Sequence, residues 1–392
     1  MDIKDFIEAH LQDDPTQLML QASRYPDIPM AYVVTQIQGR QKAKEKLPSW
    51  YDNTALEYPV KLSMEQCSSE ATGLYKASLI KGKQGIDLTG GFGVDTYFFS
   101  QKFESFAYVE RQEELAELVK KNMEVLDVGN VNIHAQDGVT YLKNISERVD
   151  FIYLDPARRD EFNEKVVRIE ECEPNIKELQ DSLVEKGKEV MIKLSPMLDI
   201  KQTIQTIPYI REVQVVSVQN ECKEILLLLS KELPEEPAIV SINISKDGRN
   251  LQRFSFLYSE EEYAASTYAE KAETYIYEPN VAILKAGGYK TIGNQYGLKK
   301  LHPNSHLYTS ETLIEDFPGR IFECVQQFGF GKKEIKKHLS MKKANITVRN
   351  FPLTVAQIRK KTGLQDGGEV YLFATTDIKN QKTILKCIKS KR

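Results

Sequence analysis

The chain has 392 residues, more than one core of ~100–150 residues holds, so two to four domains are expected. The residues are 41% hydrophobic and 28% charged, and the apolar runs fall far short of the ~20 residues that a membrane-spanning helix needs. The formal net charge is −3, but residues 331–392 carry 16 Lys and Arg against four Asp and Glu, a net charge of +12 that leaves −15 for an acidic remainder.

Residues 1–80 are predicted to be a helical N-terminal region. Apolar residues recur at helical spacing in three stretches, which are Phe6–Leu11, Leu18–Ala22 and Pro29–Ile37. Pro48 and Pro59 interrupt this pattern, and a further helical stretch follows near Ser68–Ile80.

Residues 81–232 alternate between short apolar strands and polar helices. The strand candidates are Gly85–Leu88, Phe106–Val109, Val131–His134, Phe151–Leu154 and Val190–Leu194. The helix candidates are Asp95–Gln101, Arg111–Leu126, Val139–Asn144 and Ile176–Glu185. This alternation predicts an α/β domain with a parallel sheet. Two final apolar runs, Val213–Val218 and Glu224–Ser230, stand too close together for a parallel crossover and predict an antiparallel hairpin.

The remainder of the chain is predicted to hold two smaller α+β units after a linker at residues 232–237. Residues 238–315 form the first, with strands near Ala238–Ile244 and Phe254–Leu257. Residues 320–392 form the second, with strands and one helix at Ala344–Val348, Thr354–Thr362, Glu369–Ala374 and Thr383–Ile388. The positive charge of residues 331–392 fits a phosphate backbone, so nucleic acid is the expected partner, although a solvated lysine-rich surface has the same composition.

A glycine-rich turn joins the first strand of the α/β domain to its helix, in the segment GIDLTGGFGVDT at residues 85–96. The candidate cofactor-binding residues here are Asp87, Thr89, Gly90, Gly91, Gly93 and Asp95. Glycine allows positive φ and close backbone approach to a ligand, and a helix N-terminus adds free N–H groups. A dinucleotide fingerprint would need a third glycine where Thr96 stands, so the segment favours S-adenosylmethionine over NAD.

Two further acidic positions follow the next strands. Glu110 closes the second strand, where a carboxylate can accept hydrogen bonds from ribose hydroxyls; the alternative is a solvated charge. Asp137 and Gly138 follow the third strand, where the carboxylate can accept from an adenine amino group; the alternative is an ordinary Asp-Gly turn. Both positions are predicted to bind the cofactor.

The candidate catalytic residues are in the segment VDFIYLDPAR at residues 149–158. Asp155 and Pro156 end the fourth strand, where open α/β sheets place reacting groups, and a residue before proline is held extended. Asp155 could therefore accept the hydrogens of an amino group and aim its lone pair, unless Asp-Pro is only a helix-entry turn. Arg158 and Arg159 could bind a phosphate of the target or support the loop.

Together these motifs resemble the class I S-adenosylmethionine-dependent methyltransferases over about residues 85–230. The whole chain is similar to the bacterial group with a C-terminal THUMP-like domain, on the segments LSMEQCSSE, DPARR, IKLSP, ECKE and YEPNVAILKAG. This resemblance implies a Rossmann-like catalytic domain, a ferredoxin-like module and a basic THUMP-like domain. THUMP domains are associated with RNA, chiefly tRNA.

The segment SSEATGLYKASLI before the glycine turn is similar to the pre-motif of RNA base methyltransferases such as trimethylguanosine synthase. In those enzymes the pre-motif contacts the methionine end of the cofactor. The resemblance therefore implies cofactor contacts for Gln66, Ser68, Ser69 and Lys76.

The DPAR sequence departs from two related motifs. It resembles the DPPR of uridine C5-methyltransferases, but the stretch Lys193–Pro196 lacks the cysteine whose thiolate attacks the pyrimidine. It also resembles the DPPY of amine N-methyltransferases, but lacks the aromatic residue that stacks on the flipped base. Phe162, Tyr153 or a residue of another domain would have to replace that aromatic.

These observations predict methyl transfer to a nucleobase nitrogen in RNA. The alternatives are methyl transfer to a protein or small molecule, an RNA-binding protein whose methyltransferase domain has lost turnover, and NAD-dependent oxidation. The five cysteines are scattered without a CxxC pair, and the five histidines lack ligand spacing, so no metal site is expected. His302 and His306 flank Pro303 and are predicted to lie in a loop, while Trp50 and Tyr51 are predicted to pack the helical region. With no signal peptide visible, a reducing cytoplasm is the expected location.

Overall fold

The computed structural model describes residues 2–158 and 169–390, and it divides into two compact units. Unit 1 consists of Met1–Val213, Lys223–Pro237 and Ile244–Asn250. Unit 2 consists of Gln214–Cys222, Ala238–Asn243 and Leu251–Arg392. Within the described residues, no helix is long and apolar enough to cross a membrane.

Unit 1 begins with helices. They are α1 (Ile3–Ala9), α2 (Pro15–Leu20), α3 (Met30–Lys46), α4 (Pro48–Tyr51), α5 (Lys61–Gln66) and α6 (Glu70–Ser78). The apolar faces of the first three pack together through Phe6, Leu18, Met30, Val33 and Ile37. Pro48 separates α3 from α4, but it also begins α4, because the first turn of a helix needs no N–H from proline.

The alternating segment, most of which belongs to unit 1, forms strands and helices in turn. In chain order they are β1 (Gly82–Asp87), α7 (Val94–Ser100), β2 (Phe103–Glu110), α8 (Glu113–Val125), β3 (Val131–Ala135), α9 (Gly138–Asn144), β4 (Val149–Leu154), β5 (Ala157–Arg158), β6 (Cys172–Glu173), α10 (Ile176–Lys186), β7 (Gly187–Leu194), α11 (Ile200–Thr206), β8 (Ile210–Val218) and β9 (Glu221–Leu229). The short strands β5 and β6 pair with each other.

The sheet of unit 1 confirms the predicted Rossmann-like fold class. Six neighbouring strands of this sheet lie in the order β9-β7-β4-β1-β2-β3. Strand β1 is parallel to both β2 and β4, whereas β7 and β9 are antiparallel. The chain builds one side of the sheet from β1 to β3 and then returns to the other side with β4. The carboxyl ends of β1 and β4 therefore flank the point where strand order reverses, which is where open α/β sheets bind ligands.

The predicted hairpin at the end of the α/β segment is formed by β8 and β9. Only Gln219 and Asn220 connect them, with φ of 51° and 63°. Two consecutive residues at positive φ make a tight turn whose twist matches that of the flanking strands. A connection this short requires antiparallel pairing.

Unit 2 contains the C-terminal elements. They are β10 (Ala238–Ile244), β11 (Leu251–Phe256), α12 (Tyr258–Tyr263), β12 (Tyr275–Pro279), α13 (Val281–Ala286), α14 (Thr291–Gln295), β13 (Lys299–Lys300), β14 (Tyr308–Ser310), β15 (Gly319–Gly329), α15 (Lys332–His338), β16 (Asn345–Arg349), α16 (Val355–Thr362), β17 (Val370–Thr376) and β18 (Lys382–Lys389). One sheet has the order β13-β14-β12-β15-β18-β17-β16. Alternate residues of β17 serve different cores, because Phe373 packs with Phe322 while Leu372 packs with Ile358 of α16.

Candidate active site

The glycine turn after β1 has the conformation that its sequence predicts. Gly91 and Gly93 have φ of 53° and 76°, in the left-handed region that favours glycine. Gly90 is required for a different reason, since a Cβ there would lie 2.2 Å from the ring of Tyr108. The turn therefore brings bare backbone to the end of the sheet at the start of α7.

Asp87 organises this turn from inside the protein. Its buried carboxylate accepts hydrogen bonds from the Thr89 N–H at 3.0 Å and the Thr96 hydroxyl at 2.8 Å. Burial raises the pKa of Asp87 to about 7, although these two hydrogen bonds oppose the shift. Thr96, the residue that replaces the third glycine of a dinucleotide site, thus has a structural partner in Asp87.

Glu110 lies at the end of β2 and contacts the glycine turn directly. Its two carboxylate oxygens accept the N–H groups of Gly91 and Gln112, each at 2.9 Å. The side chain is nearly buried at this position. These bonds fix the direction of the carboxylate at the strand end where the ribose of a cofactor is expected.

Asp137 and Gly138 form the start of α9. The exposed Asp137 carboxylate accepts from the N–H and the hydroxyl of Thr140, at 2.8 and 2.9 Å, and so caps the helix. A Cβ on Gly138 would lie 2.2 Å from the Leu88 carbonyl oxygen. The turn after β3 therefore approaches the end of β1 closely enough to require glycine.

Asp155 and Pro156 follow β4, beside the glycine turn. The Asp155 N–H donates to the Thr89 hydroxyl at 2.6 Å, which joins the two strand-end segments. The Asp155 side chain is 33% exposed and pairs with Lys193 of β7, while Pro156 is buried. Arg158 lies in β5, and the predicted Arg159 and Phe162 are outside the described residues.

The pre-motif residues do not share one environment. Gln66 is exposed at the end of α5, and Ser69 caps α6 by accepting from the Thr72 N–H. Ser68 is buried and hydrogen bonds to Asp95 at 2.7 Å. Lys76 is completely buried, and its ammonium lies 3.0 Å from Asp95, 3.2 Å from Glu224 and 2.7 Å from the Ser68 hydroxyl. In this structure Lys76 therefore neutralises buried carboxylates of unit 1.

Sequence reasoning gave no individual role to Lys193 or Glu224, both of which the structure places with Asp95. Lys193 lies in β7 and Glu224 lies in β9, and it is the formation of the sheet that brings their side chains near Asp95. Burial disfavours the charge of Asp95, but Lys76 and Lys193 outweigh it and lower its pKa. Burial raises the pKa of Glu224 despite the same two lysines. The available sequence signal was the lysine that follows directly on the apolar run of residues 190–192.

Tyr153 does not replace the missing aromatic residue as the sequence interpretation allowed. It is 1% exposed, and its hydroxyl donates to Asp95 at 2.8 Å. A ring buried in β4 cannot stack on a substrate base, so this assignment is corrected.

Trp50 packs against the catalytic segment as well as the helical region. Its ring meets the rings of Phe92 and Tyr97 edge to face, each with centroids 5.4 Å apart. Phe92 belongs to the glycine turn, so α4 supports that turn from behind. Tyr51 instead lies near the cationic groups of Arg40 and Lys44.

The arrangement fits an adenosyl cofactor. Its glycine turn brings backbone without side chains to the end of the sheet, and carboxylates follow at the ends of β2 and β3. Gly90 and Gly138 keep side chains out of both turns. Glu110 would hold the ribose, and Asp137 would receive the adenine amino group. Among the described residues, no group of three His, Cys, Asp or Glu could hold a metal ion. His302 and His306 lie in a loop, as predicted.

Comparisons with known proteins identify two C-terminal domains and a relative of nearly the same length. Residues 275–318 match a ferredoxin-like domain, and residues 319–389 match a THUMP domain-like family. A proposed methyltransferase of Porphyromonas gingivalis W83, whose crystal structure is known, is 35% identical and superimposes with a TM-score of 0.89, over 99% of this chain and 98% of that chain.

Two curated relatives come from Mycobacterium tuberculosis strains CDC 1551 and H37Rv. Both are described as uncharacterized S-adenosylmethionine-dependent methyltransferases, and each is 23% identical over 221 residues. These matches cover 55% of this chain and 56% of each relative, so the chain spans little more than half of their length. The fold, the glycine turn and the similarity to the P. gingivalis protein over nearly the whole chain agree. The chain therefore belongs to the class I S-adenosylmethionine-dependent methyltransferases that carry a C-terminal THUMP-like domain.

Proposed function

We propose that the protein transfers a methyl group from S-adenosylmethionine to a nitrogen of a nucleobase in RNA. The observation that carries this proposal is the position of Asp155, whose partly exposed carboxylate stands at the end of β4 and is tied to the glycine turn through Thr89. A carboxylate beside the cofactor site can receive the hydrogens of an amino group.

Methyl transfer requires mainly that the acceptor amine is correctly oriented toward the methyl group. The bound cofactor supplies an electrophilic methyl sulfonium. Asp155 accepts hydrogen bonds from the acceptor amine and directs its lone pair to the methyl carbon, with the Pro156 backbone keeping the loop extended. As the nitrogen–carbon bond forms, the bonding electrons of the old sulfur–carbon bond return to sulfur. The displaced N–H proton leaves through Asp155 to solvent.

The charge of unit 2 supports RNA as the macromolecular substrate. Exposed lysines stand on α15, in the following loop and on α16. They are Lys332, Lys333, Lys336, Lys337, Lys342, Lys343, Lys360 and Lys361. The THUMP-like match covers all of them. Such a concentration of positive charge suits a phosphate backbone, which binds largely through counterion release.

The proposal is tested by measuring transfer of labelled methyl groups to total RNA from cells that lack the protein. We expect Asp155→Asn to reduce turnover about 100-fold while S-adenosylhomocysteine affinity stays within about threefold, because the amide no longer accepts from both amine hydrogens. The exposed Asp52→Asn serves as the control. Wild-type protein that methylates only protein or a small molecule, or that binds cofactor without transfer, would contradict the proposal.

We also propose that the protein works in the cytoplasm. The five cysteines are scattered along the sequence without a CxxC pair, a pattern that suits a reducing compartment. Localisation of a fluorescently tagged chain would test this.

A further inference from the structure

The interior of unit 1 holds a charged cluster that joins the pre-motif to the DPAR segment. It is formed by Lys76 of α6, Asp95 of α7, Asp155 after β4, Lys193 of β7 and Glu224 of β9. The cluster sets three carboxyl side chains against two lysines. Asp155 is the member of this cluster with the largest exposure, at 33% of its side chain. The cluster therefore presents one carboxylate outward from a set of buried partners.

The parallel sheet accounts for the contact between Lys193 and Asp155. Strands β4 and β7 pair Leu154 with Ile192, so Asp155 and Lys193 follow at matching positions along neighbouring strands. The Lys193 ammonium forms an ion pair with Asp155 Oδ2. It also lies 3.4 Å from the Ser68 hydroxyl and 3.9 Å from Asp95 Oδ2. Lys193 is thus held from behind while it contacts Asp155.

We propose that Lys193 is a positioning residue for methyl transfer, because its ammonium fixes the direction of the Asp155 carboxylate. A carboxylate only accepts hydrogen bonds, so the site selects acceptors that carry N–H groups, such as exocyclic amines, over carbonyl oxygens. This inference rests on the proposed function.

The electrostatics of Lys193 agree with this role. Burial disfavours its charge, but the carboxylates of Asp155, Asp95 and Glu224 outweigh burial and raise the pKa of Lys193. The lysine therefore stays protonated at neutral pH. A protonated amine cannot take up the proton of the acceptor, so Lys193 acts through Asp155.

Kinetics of four variants test the proposal. Lys193→Met removes the charge and keeps an unbranched side chain of similar length. We expect it to lower kcat at least tenfold with S-adenosylhomocysteine affinity within about threefold, and Lys193→Arg to recover part of the rate. The variant carrying both Lys193→Met and Asp155→Asn should be no slower than Asp155→Asn alone, since residues that act as a unit are not additive.

The matched control is Lys188→Met on the same strand. Lys188 also pairs with an aspartate, Asp150 at 2.7 Å, but at the surface. Its kcat should stay within about twofold of wild type. A wild-type kcat for Lys193→Met, or a double variant slowed by the product of both single effects, would overturn the proposal.

Crystal structures of the variants with S-adenosylhomocysteine separate this proposal from the proposed function. We expect the Asp155 carboxylate to leave its position in Lys193→Met and to keep it in Lys193→Arg. An unmoved carboxylate in Lys193→Met overturns the positioning role, even if wild-type protein methylates no RNA. If Lys193→Met loses cooperative unfolding, Lys193→Gln replaces it, because its amide also lacks the charge.

Discussion

Individual residues at the strand ends serve the site through backbone contacts as much as through ligand chemistry. The sequence predicts Asp87, Glu110 and Asp137 to be cofactor ligands, and each carboxylate also accepts a backbone N–H group of its own turn. A carboxylate fixed in this way needs no reorganisation when a ligand arrives. The side chains that are predicted to bind the cofactor thus also form the turns that would surround it.

The close approach of Gly138 to the Leu88 carbonyl can be tested by substitution. Gly138→Ala should destabilise the protein by about 2 kcal/mol, because the new Cβ would lie 2.2 Å from the Leu88 carbonyl oxygen and backbone must shift. Urea unfolding measures the change, and calorimetry should show weaker S-adenosylhomocysteine binding. Gly129→Ala, where nothing lies within 4 Å, should change stability by less than about 0.5 kcal/mol. Equal effects of the two substitutions would show that the close approach is unimportant.

At the scale of elements, helix ends follow local rules that the sequence carries. Ser69 and Thr72 form a reciprocal cap at the start of α6, and Thr354 and Gln357 do so for α16. Helix α8 ends less favourably. The N–H of Val128 bonds to the Met123 carbonyl, and Asp127 lies between them with φ of 56°. This is the position where glycine is preferred.

Asp127→Gly should therefore stabilise unit 1 by about 0.5–1 kcal/mol, because glycine adopts a left-handed conformation without a Cβ penalty. A rise in the urea midpoint at unchanged slope would show this. Asp127→Ala removes the same charge but keeps a Cβ, and it should not stabilise. If alanine stabilised as much as glycine, relief of charge at the helix end would be the cause.

At the scale of the whole molecule, charge is divided between an acidic remainder and the basic residues 331–392. If the exposed lysines of α15 contact phosphates, Lys332→Glu, Lys333→Glu and Lys336→Glu together should weaken RNA binding. They should also reduce the slope of log affinity against log salt by about 2, at ~0.7 per lost contact to a single strand. S-adenosylhomocysteine affinity should not change.

The control reverses three exposed lysines of unit 1, Lys102, Lys120 and Lys121. Both variants alter the net charge equally, so only the location of the lost charges differs. Filter binding over a salt series distinguishes the two. An equal loss of affinity in both would mean that net charge, and not the α15 surface, governs RNA binding.

The sequence by itself determined the order of strands and helices in unit 1 and the candidate residues at the strand ends. Apolar runs, glycines and acids report on local conformation, which neighbouring residues largely decide. The hairpin of β8 and β9 was likewise predictable from its short connector. Strand β15, with polar residues such as Glu323 and Gln326, was not predicted, because its pairing with β12 and β18 depends on distant segments.

Only the tertiary structure decided which charges meet. Lys193 and Glu224 stand far from Asp95 in the chain, and the sheet brings both near it. Lys76 of α6 pairs with both Asp95 and Glu224. The tertiary structure also decided the environment of Tyr153. Its ring is buried in β4 and cannot contact a substrate base. Local sequence spacing can identify a residue that is able to bind a ligand. Long-range packing decides which charged groups lie beside that residue and therefore how its pKa is shifted.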